Sequence, residues 1–448
     1  MKRIFIIVLI CLFSFTTYAQ ETKIKTGWKF GGALPAISFD TDLGFQYGII
    51  TEFYNYGDGT NYPEFLEHLY LEASRYTKGS ANYRLMFESK SLIPNIGWVC
   101  DLSYLPDKAS PFYGYNGYKS VFNTDWSDNE SDLYRSRMFY RYERNLFRFK
   151  NDFQGSISGN NFLWNAGISF QHFGVRSVDI DHLNKGKDSD DMLPQVTDQP
   201  GIFERYQALG IIPEEEADGG WVNTIKAGVS WDSRDNIPNP MKGVWTEAGF
   251  EIAPGFMGNE SGFTQFYLIH RQYFTLIERD LSFVYRIGYQ QTLSGHVPFY
   301  YQSQMITSRL TKATNEGLGG KSSLRGVLRN RVIGDGIAYA NVELRWKPLR
   351  FTAFNQDFYI GLDWFYDVGV VTKKIKLPEN LQTTFSTLYP TESYDDYFSE
   401  DSETFHHTTG VSLMIAMNEN FVIAVDVGKA FNKQDGNIGV SIGLNYLF

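Results

Sequence analysis

The stretch FYIGLDWFYDVGV, Phe358 to Val370, alternates with a period of two. Phe358, Ile360, Leu362, Trp364, Tyr366 and Val368 fall on one face, and Gly361, Asp363, Asp367 and Gly369 on the other. Successive side chains of a strand point to opposite faces, so this period predicts a β-strand. NIGVSIGLNYLF, Asn437 to Phe448, repeats the pattern: Ile438, Val440, Ile442, Leu444, Tyr446 and Phe448 oppose Gly439, Ser441, Gly443 and Asn445. Phe421 to Val427 does so again. The apolar face is the core in a soluble sandwich and the lipid face in a membrane barrel, where the small and charged face lines the lumen.

The connections separate these two readings. Alternation places sixteen strands, the first near 27–39 and the last near 436–448. The long connections, 106–143, 175–220, 292–334 and 371–405, all follow odd-numbered strands, whereas Leu92–Pro94, Ile157–Asn160 and Met417–Glu419 are short. Long loops on one side and short turns on the other predict an all-β, transmembrane, antiparallel up-and-down β-barrel of 16 strands. An even strand number puts both termini on the periplasmic side. Lys2 and Arg3, the apolar run Ile4–Phe15 and the small residues Thr17 and Ala19 predict a secretory signal peptide over 1–19, with one barrel domain over 20–448.

Composition agrees without deciding. Aromatic residues make up 17% of the chain, and no second long apolar run follows the N-terminal one. Cys100 is the single cysteine after the predicted cleavage site, so no internal disulfide is expected. The net charge of −10 argues against a nucleic-acid partner.

Three segments carry a family resemblance. LGGKSSLRGVLRNRVIGDGIAYANVELRW, Leu318 to Trp346, resembles the lid loop of the bacterial surface antigen family (the BamA/TamA superfamily), with Leu324, Arg325, Gly326 and Val327 where the family carries Val-Arg-Gly followed by an aromatic residue. WDSRDNIPNPMKG, Trp231 to Gly243, is similar to the family's periplasmic turn after the eighth strand, and FYDVG, Phe365 to Gly369, to its Phe-x-Asp-x-Gly on the thirteenth. The resemblance implies a lid loop folded into the barrel, with Arg325 meeting Asp367 there. Glu343, on the strand after the loop, is expected to point inward, and Gly319, Gly320 and Gly326 to permit the tight hairpin. Tyr446 and Phe448 are expected on the lipid face as the C-terminal assembly signal. The family's assembly factors carry POTRA domains before the barrel. Here few residues separate Gln20 from Trp28, so the expectation is a barrel alone, with any such domain supplied by a partner.

The first strand holds Gly31, Gly32 and Pro35, residues that weaken a strand or remove a ladder donor. They predict a weak lateral seam with the last strand, or else a local bulge. Asp232 to Asp235 reads as turn chemistry. The clusters Asp179, Asp181, Asp188, Asp190, Asp191 and Glu214, Glu215, Glu216, Asp218 match no calcium loop and read as solvated charge. Of the seven histidines, none has a nucleophile motif nearby, and His406 and His407, being adjacent, point to opposite faces. No catalytic residue, metal or cofactor is expected.

The functional expectation is insertion or translocation of protein or lipid at the outer membrane. A passive pore is the alternative, and an outer-membrane hydrolase the third reading. The expected partners are outer-membrane lipids including lipopolysaccharide, the barrel-assembly machinery during biogenesis, and a periplasmic or outer-membrane protein.

Overall fold

The structure, a computed structural model, describes residues 24–40, 43–60, 62, 64–236, 239–307, 317–353, 356–417, 421–444 and 448. The expected signal peptide and Tyr446 lie outside them. Among these residues the chain forms the strands β1 (Trp28–Pro35), β2 (Ser38–Asp40), β3 (Gly44–Asn55), β4 (Glu67–Tyr76), β5 (Ala81–Ile93), β6 (Ile96–Pro111), β7 (Arg141–Ser158), β8 (Phe162–Arg176), β9 (Gly219–Asp232), β10 (Gly243–Ala253), β11 (Phe263–Ile277), β12 (Leu281–Gly295), β13 (Gly336–Ala353), β14 (Gln356–Lys373), β15 (His406–Met417), β16 (Phe421–Ala430) and β17 (Ile438–Leu444).

Both β1 and β2 pair with β3, and each later strand pairs antiparallel with its chain neighbour. The first predicted strand is therefore two segments of one, and the sheet has 16 strand positions. The interruption falls just after Pro35, which has no N–H to offer the ladder. A bulge between Phe30 and Gly32 disturbs the same strand.

The sheet is inside out relative to a soluble protein. Leu362, Trp364, Val411 and Val440 are 44%, 49%, 58% and 66% exposed. On the opposite face Arg148, Asp101, Lys226, Arg286 and Arg345 are buried. A closed wall in lipid must turn its apolar side chains outward, so the lumen receives the polar ones. No helix among the described residues is long and apolar enough to cross a membrane.

The four long connections do not remain separate loops. They carry the short helices α1 (Ile180–Asn184), α2 (Ile202–Ala208) and α3 (Leu381–Leu388). Their aromatic residues share one apolar core, including Phe112, Phe139, Phe203, Phe299, Phe385 and Tyr397. Phe112 meets Phe299 edge-on at 5.1 Å and Tyr206 at 5.2 Å, and Arg205 and Arg135 bind Glu392 at 3.0 and 2.8 Å. A second core layer, with Leu318, Leu324, Val327 and Val332 against Tyr339 and Val371, seats the 317–335 segment under this cap.

Cap formation corrects two expectations. The acidic clusters are not simply solvated: Asp191 pairs with Arg137 at 2.9 Å, and the buried Glu216 with His296 at 2.5 Å. In addition, β6 and β7 extend outward to Pro111 and back to Arg141, so the first long connection is shorter than its sequence reading.

Candidate functional site

The register of β13 on β14 sets the site. Asn341 faces Asp367 across the ladder, and Glu343 faces Phe365. All four are odd-numbered on strands whose odd side chains turn into the lumen, where Asn341, Glu343, Phe365 and Asp367 are fully buried. The wall thus presents two carboxylates and an aromatic ring in one small area.

The 317–335 segment brings the countercharge. Its hairpin is closed by Gly320 N–H donating to the Val327 carbonyl (2.8 Å), and Leu318 bridges Val332. Gly319 sits at φ +112°, where a β-carbon would meet the Leu328 carbonyl oxygen at 2.0 Å. At the tip, Arg325 donates Nε to Asp367 Oδ2 (3.0 Å) and Nη2 to Asp367 Oδ1 (2.8 Å). Its backbone N–H donates to Oδ2 as well (3.0 Å). Nη1 lies 2.7 Å from Glu343 Oε1, and the guanidinium is 3.7 Å above the Phe365 ring. One arginine is therefore held by a bidentate carboxylate, a second carboxylate and a π-face, a geometry a lysine could not reproduce.

The tip fits because the facing wall is small. Gly326, at φ +96°, lies against Gly428 of β16 and Gly439 of β17, and a β-carbon on Gly439 would come within 3.0 Å of Gly326 Cα. The Thr408 hydroxyl donates to the Arg325 carbonyl. Arg331 then anchors the far end of the hairpin, donating to the carbonyls of Gln434 (2.7 Å), Gly117 (3.0 Å) and Ser120 (2.9 Å). Hairpin, cap and the β16–β17 turn are thus tied together at the outer mouth. A buried cluster completes this joint: His406 Nδ1 meets Asp435 at 2.7 Å, its Nε2 meets Glu403 at 3.0 Å, and Tyr118 stacks on its ring at 4.0 Å.

The structure brings together Arg325, Asp367, Glu343, Gly319, Gly320 and Gly326. It also brings Phe448 to their edge, because Arg345, which pairs with Glu343 at 2.7 Å, donates to the Phe448 carbonyl. Gly31, Gly32 and Pro35 lie on β1, which pairs with β3. A β-carbon on Gly31 would overlap the Tyr54 ring at 2.4 Å, so this glycine houses an aromatic neighbour on β3. The structure also corrects the expectation of a lipid-facing Phe448. Its carbonyl accepts from Arg345 (3.0 Å), and its ring lies 5.0 Å from the Arg286 guanidinium and 5.1 Å from that of Arg345. Both arginines face the lumen, so Phe448 leaves the parity of β17 and turns inside, where two guanidinium groups can sit over its ring.

Thr408, Gly428, Gly439 and Arg331 were not legible as site residues, and Phe365 was read only as the first residue of the Phe-x-Asp-x-Gly segment. The one available signal was that Gly428 and Gly439 lie on the small face of two alternating strands. The turn after β9 behaves as turn chemistry: Asp235 accepts from the Met241 and Lys242 N–H groups, and Asp232 pairs with Arg234 at 2.6 Å.

The Omp85 superfamily domain matches residues 107–446, well over half of the chain and all three motif segments. No curated protein matches the sequence. Among solved structures, CdiB from Escherichia coli is 11% identical, with a TM-score of 0.53, over 95% of this chain and 62% of that one. BamA from Haemophilus ducreyi lacking POTRA domains 1-3 is 13% identical, with a TM-score of 0.49, over 94% of this chain and 70% of that one. The chain thus spans less than two thirds of CdiB, and at this identity the likeness is one of fold. The family match and the inside-out wall agree: the chain belongs to the Omp85 superfamily and is an integral outer-membrane β-barrel.

Proposed function

We propose that this barrel inserts or translocates protein or lipid at the outer membrane and is not a passive pore. The observation that carries the reading is the hairpin held in the lumen by Arg325, Asp367 and Glu343, under an aromatic cap. A diffusion pore needs a water-filled path. Here the outer mouth is packed with apolar side chains and the wall beneath it is engaged by the hairpin. We assign the hairpin the role of a lid, and Arg325 with its two carboxylates the role of its lock. Gly31, Gly32 and Pro35, on a strand with a bulge and an interruption, supply the proposed lateral seam for passage into the bilayer. Tyr446 and Phe448 keep the proposed role of assembly signal, read before Phe448 turns into the finished barrel. No catalytic step is assigned.

The test is electrical. The purified chain in a planar bilayer is expected to stay mostly closed, with small and brief openings. A steady, large, ohmic current from the wild-type protein would make it a pore and end this reading. Chains co-purifying from the outer membrane would then name the substrate or partner.

A further inference from the structure

At the outer rim of β14–β16, the lipid-side faces carry a group that an ordinary aromatic girdle does not require. Tyr366, Phe405, His407 and Phe431 follow the outward parity of these strands, the side on which Val411 is 58% and Val427 40% exposed. Their rings form one cluster: His407 lies 5.9 Å from Tyr366, 5.9 Å from Phe405 and 6.2 Å from Phe431, stacked at 28° on the last. Phe405, His407 and Phe431 wall an open cleft of about 430 Å³ whose other lining residues are Tyr118, Thr404, Asn432 and Lys433.

Two features separate this cleft from the interfacial belt of aromatic residues expected on any barrel. The first is the histidine. An imidazole on a lipid-facing wall has two polar nitrogens to satisfy, and here the Tyr366 hydroxyl engages only Nδ1, at 2.5 Å. That bond fixes the ring, and no described residue takes Nε2. The second is Lys433, exposed on the turn after β16, beside Asn432 and Thr404. The cleft therefore offers an ammonium, an imidazole nitrogen, an amide and a hydroxyl above flat aromatic walls. Below them, the apolar face continues down the barrel through Val411, Leu413, Val427 and Val440.

The floor is rigid. The Tyr118 hydroxyl donates to Asp435 Oδ2 (2.5 Å), and the Asp435 carbonyl accepts from the Leu328 N–H of the hairpin (2.8 Å).

We propose that this cleft binds the headgroup of a phosphorylated glycolipid in the outer leaflet. A sugar ring stacks its C–H face on Phe431 and His407. A phosphate takes charge-assisted bonds from Lys433 and from Nε2 of His407. The acyl chains run along the exposed valines and leucine beneath. The continuity of the cleft with the lipid-facing wall selects a lipid over a soluble anion, and its cation and donors select a phosphorylated sugar over an acyl chain alone.

The experiment uses the full chain purified in detergent, mixed with bisphosphorylated lipid A and read by native mass spectrometry. One lipid A is expected to stay bound per chain. Lys433→Glu and Phe431→Ala should each lower the retained fraction about tenfold, whereas Lys433→Arg should keep it. Phosphatidylethanolamine should not be retained, and inorganic phosphate should not displace the lipid. Equal retention by wild type and Lys433→Glu would overturn the proposal. So would equal retention of the two lipids, or displacement by phosphate alone. Lys433 is an exposed turn residue, so its variant folds even where Phe431→Ala does not, and heat-modifiable migration verifies each barrel.

Discussion

The cap and the lid close the same end of the barrel by opposite chemistry. The cap is an apolar core, with Phe385 packed edge-on or tilted against Tyr397 at 5.1 Å and Tyr394 at 5.7 Å, and Phe112 against Phe299. The lid tip is held by one guanidinium, two carboxylates and a glycine contact. The difference follows from what surrounds each. The cap stands in water, so collecting rings out of water is favourable in itself. The lid tip faces the part of the lumenal wall that presents Asp367, Glu343, the Phe365 ring and the glycines of β16 and β17, so an arginine and a glycine are what it grips with. Aromatic packing degrades gradually as neighbours relax. A buried ion pair fails when one partner is lost, because the survivor has nowhere to place its charge.

The largest expected effect lies on the lid side. Arg325→Ala or Asp367→Ala should each cost about 3–5 kcal/mol at the lock, read as a lower unfolding midpoint of the folded barrel and as larger or noisier single-channel current. The double variant should be milder than the sum of the two, as for interacting partners. Strict additivity with an unchanged current would remove the lock and leave the hairpin as a passive filler.

On the cap side, Phe385→Ala should cost about 3 kcal/mol, the lower end for a buried aromatic, because the cap can settle around the gap. The comparison sharpens if its consequence is local: faster proteolysis within 374–405, with the current trace unaltered. If instead Phe385→Ala opens the channel as Arg325→Ala does, cap and lid are one unit and the contrast drawn above fails.

The smallest effect is a pH dependence confined to the cap. The hydrogen bond and charge of Glu216 hold the His296 imidazole above its ordinary value of 6.5, against a desolvation that lowers it. A histidine raised on folding contributes stability that is fully present below that ordinary value and is lost as the pH rises through the raised one. His296 is half exposed, so the contribution is small. Protection of the Phe299 amide, which donates to Glu216 Oε2 (2.6 Å), should fall over that window in wild type and stay level in His296→Gln. An equal fall in both would place the dependence elsewhere.

Much of the architecture was legible because lipid enforces a strict code. Trp364 and Asp363 differ in burial as their parity requires, and the sixteen strands followed from alternation and loop lengths. Asp367 was readable as lumenal by the same rule. Its pairing with Arg325 required the family resemblance, since 42 residues separate the two and no local pattern links a loop tip to a strand. Phe448 shows where parity stops being a guide: its ring stands beside two lumenal guanidinium groups, Arg286 and Arg345, which no alternation in the sequence announces.

Within the paired strands, the sequence by itself determined which residues face lipid and which face the lumen, because a period of two is a property of the strand backbone and needs no partner. Only the tertiary structure decided what fills the barrel. The four long segments between strands carry no period, and their aromatic residues find one another across the mouth. Gly326 reaches Gly428 and Gly439 from a segment roughly a hundred residues away in the chain. Such contacts depend on the distance across a closed sheet, a quantity set by strand number and tilt and not by any neighbouring residues.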